Sequence, residues 1–202
     1  ACIDLVASFD EKSIGFVGMS KTEFHFKVEL PSRSFGVRMM PGAFHQLTGL
    51  PAATAMDRFV PVEAAFKSFD RALFFSFPLE QAKAYFRNIL IGHIGDKTPD
   101  AFTLMFHTLS EGTPSTVAEL CRQLHLSPRQ CQRLFGLHYG ITPKMALSIG
   151  RFHKCMEILT SPKAKPSDIL NVTDYYDQPH FIKDFKRNIG ITPLELIRSY
   201  QS

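Results

Sequence analysis

Residues 117–143 read VAELCRQLHLSPRQCQRLFGLHYGITP, and the closing Gly-Ile-Thr-Pro recurs at 190–193, an offset of 50 residues. The agreement extends back from the shared tetrapeptide, because Phe135 corresponds to Phe185 at the same offset. A repeat of this size indicates one supersecondary unit used twice.

The first copy carries the start signals of two short helices. Thr116-Val-Ala-Glu119 and Ser127-Pro-Arg-Gln130 are capping boxes, in which the hydroxyl accepts from a backbone N–H three residues later. Pro128 suits the first helical position, where its missing N–H is tolerated. His125-Leu126 makes a short break between the helices. The pattern predicts a helix-turn-helix, a motif whose second helix enters the major groove of DNA.

The shared tetrapeptide predicts how both second helices end. Gly140 and Gly190 suit the left-handed residue that follows a helix, and Ile141 and Ile191 suit the hydrophobic anchor beside it. Thr192-Pro-Leu-Glu195 is a further capping box and predicts a final helix.

The second copy follows the same plan. Pro166-Ser-Asp168 predicts a helix start, Tyr175-Tyr176 the turn, and Asp177 the cap of the second helix, whose Phe181 and Phe185 point inward. Between the copies, Pro143–Leu159 predicts one helix about 25 Å long at 1.5 Å per residue. A rod of that length suits two recognition helices held near the ~34 Å spacing of successive major-groove faces.

The side chains left outward near the start of each second helix suit base recognition. Arg forms two hydrogen bonds with guanine, and Gln does so with adenine. An ordinary solvated helix face is the alternative interpretation of such polar residues. The candidates are Arg129, Gln130, Gln132 and Arg133 in the first copy, and Gln178, His180, Ile182 and Lys183 in the second.

Residues 113–200 resemble the DNA-binding domain of the AraC/XylS family of bacterial transcription regulators. The resemblance is carried by residues 117–135, 140–144, 151–154 and 175–186 with the Gly-Ile-Thr-Pro that follows. It implies two helix-turn-helix units joined by a long helix. Asp174 departs from the pattern, because family members usually have a small residue there.

The resemblance also implies roles for individual residues and partners. It favours an activator that binds double-stranded DNA and RNA polymerase, while a small-molecule effector and a homodimer stay open. Base contacts are expected from Arg129, Gln132, Arg133, Gln178, His180 and Lys183. Phosphate contacts are expected from Ser127, Lys144, Lys186 and Arg187.

The first 110 residues have a different pattern, so the fold class predicted is α+β with domains 1–110 and 113–202. Residues 22–30 alternate as in a half-buried strand. Strands are also predicted at 2–9 and 35–40, and helices at 42–50, 62–69, 79–94 and 100–109.

Strands followed by helices resemble the cupin-like sensor domains of the same family, with residues 35–44 and 57–63 as the closest segments. The strands are too few to close a barrel. We therefore expect either an open barrel or further strands before Cys2.

Composition narrows the classes of function. Residues 1–110 carry 11 Lys or Arg and 11 Asp or Glu, whereas residues 111–202 carry 12 and 8, so the basic excess lies with the repeat. A basic half favours nucleic acid as partner. The sequence contains no run of 18 apolar residues, so it predicts no membrane-spanning helix. The four cysteines lack metal-site spacing and predict reduced thiols in a cytoplasmic protein. The histidines form no His-x-His pair, and we expect neither metal nor other cofactor.

Two alternatives differ in class. A DNA-targeted repair enzyme would need a reactive cysteine, and Cys2 is the only one in the N-terminal half, without a basic neighbour in sequence. The N-terminal domain could instead bind a protein partner. Leu79–Ile94 is amphipathic and suits either a dimer contact or packing within its own domain. The interpretation preferred is a DNA-binding regulator that catalyses no reaction.

Overall fold

The computed structural model of the protein describes residues 2–20, 31–96, 98–105, 114, 116–161 and 178–201. The chain divides into two compact units. The first comprises residues 1–106 and 129–142, and the second comprises residues 107–128 and 143–202. An antiparallel sheet in the first unit and helices in the described part of the second make the fold class α+β, as predicted. The domain boundary at 110–114 stays a prediction.

The sheet of the first unit has four described strands. They are β1 (Asp4–Ser8), β2 (Ser13–Val17), β3 (Ser34–Arg38) and β4 (Phe59–Pro61). The order is β3-β1-β2-β4 and each neighbouring pair is antiparallel. The strands predicted at 2–9 and 35–40 are thereby confirmed. The strand predicted at 22–30 lies outside the described residues.

Helices of the first unit pack on this sheet. They are α1 (Ala43–Thr48), α2 (Val62–Ala65), α3 (Arg71–Ser76) and α4 (Leu79–Ile94), with a 3-10 turn at Ala52–Ala55 and helical residues at 101–105. The prediction of one helix over 62–69 is wrong. The helix ends at Ala65, because Phe66 leaves helical geometry with φ −114° and ψ 88° to enter the core.

Phenylalanine rings fill the centre of the first unit. Phe66 and Phe86 stack edge to face with ring centroids 6.1 Å apart, and Phe16 and Phe44 do the same at 5.2 Å. Edge-to-face pairs add to the stabilisation from apolar burial. The same core also buries Phe9, Phe69 and Phe74.

The helices after residue 115 begin and end close to the predicted positions. They are α5 (Val117–Gln123), α6 (Pro128–Tyr139), α7 (Pro143–Leu159), α8 (Gln178–Ile189) and α9 (Pro193–Gln201). In the second unit, Phe181 and Phe185 of α8 pack against Cys155 and Leu159 of α7 and against Leu196 of α9. The helix start at 166–168, the turn at 175–176 and the cap at Asp177 lie outside the described residues.

The four cysteines are free thiols. Cys121, Cys131 and Cys155 are buried, as their place on apolar helix faces predicts, and burial raises the pKa of the Cys155 thiol to about 11. Such a thiol acts as a small hydrophobic side chain. Among the described residues, no helix is both long and apolar enough to cross a membrane.

Candidate nucleic-acid interface

The turn after α5 is a Schellman motif. The Thr116 hydroxyl accepts from the amide of Glu119 at 3.1 Å and begins the helix as predicted. At its end, the amide of Leu126 donates to the Cys121 carbonyl at 2.9 Å, and the amide of His125 donates to the Arg122 carbonyl at 3.2 Å. This pair of bonds defines the motif. His125 takes the left-handed position with φ 53°, where glycine is the usual residue.

Helix α6 starts at Pro128 and separates its residues into two faces. Its inner face carries Cys131, Phe135 and Tyr139, each no more than 2% exposed. On the outer face, Arg129, Gln132 and Arg133 are all exposed, and so is Gln130. The structure thus brings the three base-reading candidates of the first copy together on the solvent side of one rigid helix.

The inner face of α6 belongs to the first compact unit. The His138 ring stacks on the Phe102 ring with centroids 4.4 Å apart and planes 14° from parallel. Phe135 meets the same ring edge to face at 6.3 Å, and the Tyr139 hydroxyl donates to the Phe102 carbonyl. Residue 102 therefore holds three side chains from the last two turns of α6.

The surroundings of His138 disfavour the protonated form of its imidazole. Burial lowers its pKa, and this effect outweighs the Asp100 carboxylate, whose Oδ2 lies 3.6 Å from His138 Nδ1 and raises it. The His45 ring, with its centroid 4.7 Å away, lowers the pKa further. Within the described part of the chain, His138 Nδ1 is buried without a hydrogen-bond partner.

Helix α8 repeats the two-faced arrangement of α6. Phe181 and Phe185 are each 1% exposed, whereas Lys183 is exposed to solvent. Gln178 and His180 have their backbones in the first turn of the helix. Their predicted base contacts stay predictions. Ile182, another outward candidate, is 37% exposed.

The two copies of Gly-Ile-Thr-Pro end their helices with the same backbone but different packing. Gly140 and Gly190 are both left-handed, with φ 71° and 84°. Ile141 is buried at 5% exposure, whereas Ile191 is 36% exposed. The prediction that isoleucine anchors both exits is therefore wrong for the second copy, because that side chain lies at the surface.

The capping box at the second exit is reciprocal. The Thr192 amide donates to Glu195 Oε2 at 2.6 Å, and the Glu195 amide donates back to the Thr192 hydroxyl at 3.3 Å. The Thr192 amide, together with the Thr192 hydroxyl that also donates to Glu195 Oε2 at 2.8 Å, holds the pKa of Glu195 below its usual value. These bonds fix the start of α9 as predicted.

The four phosphate-contact candidates are all exposed. Ser127 precedes α6, Lys144 is the second residue of α7, and Lys186 and Arg187 lie in the last turn of α8. Long cationic side chains at helix ends suit contacts with a phosphate backbone, which position a protein without reading sequence.

Two family matches divide the chain. The family described as Helix-turn-helix domain matches residues 120–199, which run from α5 into α9. Over these residues the chain is similar to the helix-turn-helix domains of AraC-type regulators. This domain supports a DNA-binding transcription regulator. The family described as a domain of unknown function, DUF6597, matches residues 1–61.

Solved structures similar to this chain include two response-regulator domains. One is the C-terminal domain of the two-component response regulator yesN from Fusobacterium nucleatum, at 23% identity and TM-score 0.42, covering 46% of this chain and 95% of that one. The other is the C-terminal domain of AraT, a response regulator from Geobacillus stearothermophilus. It also has 23% identity and TM-score 0.42, and the match covers 46% of this chain and 80% of that one. No curated protein matches the chain.

Sequence reasoning missed the role of the far end of α6. His138 and Tyr139 occupy it, and their partners Asp100 and Phe102 lie more than 30 residues earlier. No local pattern signals a contact over that separation. The polar residue His138 on an otherwise apolar face was the one available hint.

Proposed function

We propose that the protein activates transcription by placing α6 and α8 in successive major grooves of double-stranded DNA. The observation that carries the proposal is the division of α6, whose buried Phe135 and Tyr139 fix the helix while Arg129, Gln132 and Arg133 stay exposed. Pre-positioned guanidinium and amide groups suit guanine and adenine edges. Helix α7, about 25 Å long, suits the spacing between two grooves.

The proposal assigns the base contacts and the phosphate contacts to separate residues. Base edges are read by Arg129, Gln132 and Arg133 from α6 and by Gln178, His180 and Lys183 from α8. The phosphate backbone is held by Ser127, Lys144, Lys186 and Arg187. The two sets differ in chemistry, since α6 offers two guanidinium groups and α8 one ammonium group, so the two half-sites should differ in sequence.

We further propose that the N-terminal unit controls DNA binding. The protein also contacts RNA polymerase and forms a homodimer in this proposal. The packing of α6 against Phe102 supports control, because the first unit holds one of the two reading helices directly. Free thiols and a DNA target support a cytoplasmic location.

Substitution of one reading residue tests the proposal on the DNA fragment that the full chain selects from a random pool. Arg133→Ala should weaken binding by about 1–3 kcal/mol and relax the preference at one base position. Lys183→Ala should act at a different position of the same site. Arg58→Ala, an equal change at an exposed residue of the first unit, serves as the control. Unchanged footprints for both Arg133→Ala and Lys183→Ala would show that other helices read the DNA.

One observation favours the repair-enzyme alternative, and a second observation weakens it. Arg38 lies close enough to Cys2 to interact with it electrostatically. The Arg38 guanidinium, however, is committed to Asp4 through bonds of 3.1 and 3.0 Å. Methylation of Cys2 by an alkylated DNA substrate, detected by mass spectrometry, is the result that would restore this alternative.

A further inference from the structure

A cavity of about 350 Å³ lies in the first unit beside β3, α1 and α4. Eight of its eleven lining residues are apolar, among them Met40, Leu47, Leu90 and Ile94. Its volume falls within the range of small-molecule sites, roughly 300–1,000 Å³. Met40 and Ile94 are 51% and 44% exposed, so the cavity has an apolar mouth through which a molecule can enter.

The polar groups in the lining are already satisfied by the protein. Gln46 donates through Nε2 to the Thr98 carbonyl at 2.6 Å, and its Oε1 accepts from the Thr103 hydroxyl and the Asp100 amide, each at 3.2 Å. The third polar residue, Arg38, pairs with Asp4. Arg38 is the one charged residue among those that line the cavity, and its pairing with Asp4 leaves little to offset the cost of desolvating a charged ligand. The lining suits an uncharged, largely apolar molecule.

Residues 98–105 form both a wall of this cavity and the support of α6. Pro99 and Thr103 line the cavity, whereas Asp100 and Phe102 contact His138 of α6. The two sides of the segment are connected, because Asp100 Oδ1 accepts from the Thr103 amide at 2.7 Å. One short helical segment thus touches the cavity on one side and a DNA-reading helix on the other.

The start of α1 packs so closely against residues 98–105 that a displacement of this segment must also displace its neighbours in α1. A Cβ on Gly42 would stand 3.0 Å from both the Cα and the hydroxyl of Thr103. Gln46, one turn along the same helix, holds Thr103 and Asp100 by hydrogen bonds. A bound molecule that displaces Thr103 must therefore displace residues 98–105 as well. Otherwise the contacts of this segment hold Thr103, and the molecule beside it, in place.

We propose that this cavity binds a small, uncharged, largely apolar effector, and that its occupancy is coupled through residues 98–105 to α6. The coupling rests on the proposed function, since α6 is there a reading helix. Binding and DNA affinity then change each other by the same factor, because coupling between two sites is reciprocal.

Binding is tested first, on the full chain with the uncharged fluorescent probe N-phenyl-1-naphthylamine. Ala43→Phe fills the cavity from the first residue of α1, and Met40→Trp narrows its mouth. Each should weaken the probe at least about tenfold, which is 1.4 kcal/mol. Ala84→Phe makes the same change on the exposed side of α4 and should bind the probe as the unmodified chain does.

Coupling is tested by hydrogen exchange of the backbone amides, which needs no DNA. Saturating probe should slow exchange at residues 98–105 and in the second half of α6 in the unmodified chain. Phe102→Ala removes the stacked ring from outside the cavity, so it should keep the probe and lose the protection of α6. Should Phe102→Ala fail to fold, the comparison of the unmodified chain with Ala43→Phe decides the question.

Three outcomes would overturn the inference. Equal probe affinity in Ala43→Phe, Met40→Trp and the unmodified chain would place the probe elsewhere. Unchanged exchange in α6 on probe binding would remove the coupling. Loss of probe binding as protein concentration rises, with Ala43→Phe becoming monomeric, would assign the cavity to a second copy of the chain. None of these depends on the effect of Arg133→Ala on DNA binding, so failure of the proposed function is seen separately.

Discussion

The backbone carbonyl of Ala52 lies 3.1 Å from the point that a methyl group on Gly140 would occupy. Gly140 is left-handed with φ 71°, and so is Gly190 with φ 84°. Around Gly190, the described residues leave open space within 4 Å. The glycines that begin the two copies of the tetrapeptide therefore differ in how well each would tolerate a side chain.

Alanine at these two glycines should reveal that difference. Both Gly140→Ala and Gly190→Ala force an L-residue into the left-handed region, which costs about 1–2 kcal/mol. Gly140→Ala should cost more, because its methyl group also displaces the Ala52 backbone. Urea denaturation measures both free energies of unfolding. Equal losses would show that the Ala52 segment yields without cost.

Glycine at position 125 should stabilise the protein. His125 takes the left-handed position of the Schellman motif with φ 53°, a conformation that disfavours a side chain by roughly 1–2 kcal/mol. His125→Gly should recover about half of that, since glycine also gains entropy in the unfolded chain. His153→Gly is the matched control at an exposed position inside α7. It should destabilise by about 1 kcal/mol. The same sign for both variants would contradict the assignment of the turn.

The ion pair between Glu63 and Arg71 should make stability depend on pH. Arg71 Nε and Nη2 donate to the two carboxylate oxygens at 2.6 and 2.9 Å, and these bonds hold the pKa of Glu63 below its ordinary value of 4.5. A carboxylate with a lowered folded pKa stabilises the fold above its unfolded pKa. That stabilisation is lost as the pH falls through the folded pKa.

Glu63→Gln measures this contribution. Both side chains are more than a third exposed, so solvent screening limits the loss at pH 7 to about 0.5–1 kcal/mol. The loss should shrink as the pH falls through the folded pKa of Glu63, because Glu63 itself then becomes protonated. Glu80→Gln, which disturbs the more exposed pair with Lys83, should change little over the same pH range. A loss that is constant with pH would mean that packing, and not charge, connects the two residues.

The salt dependence of DNA binding should separate phosphate contacts from base contacts. Lys144→Ala should weaken binding to all sequences about equally and reduce the slope of log affinity against log salt by about 1. Lys67→Ala removes an exposed lysine of the first unit and should leave the slope unchanged. An unaltered slope for Lys144→Ala would remove that residue from the interface.

The helices that the sequence predicted well are those whose boundaries are set locally. Thr116 and Thr192 make the capping bonds that their sequences announce, and Leu79–Ile94 and Pro143–Leu159 have the predicted bounds. A cap involves residues three apart, and a helical stripe repeats within one turn, so both are visible in a short window.

The features that the sequence did not predict depend on distant partners. Ser13–Val17 is a strand because it pairs with β1 and β4, not because its five residues alternate. Phe66 leaves α2 to reach Phe16 and Phe86. The assignment of α6 to the first unit depends on Phe102, whose contacts with α6 no pattern within either segment encodes.

Under the proposed function, the separation of buried and exposed side chains on α6 also makes its sequence preference exchangeable. The side chains that hold the helix, Phe135 and Tyr139, are separate from the exposed Arg129, Gln132 and Arg133. A library that varies only these three positions would leave the scaffold intact while offering new hydrogen-bond patterns to DNA. Promoter preference could thus drift by a few surface substitutions, and a chosen promoter could be matched by design, with no repacking of the protein.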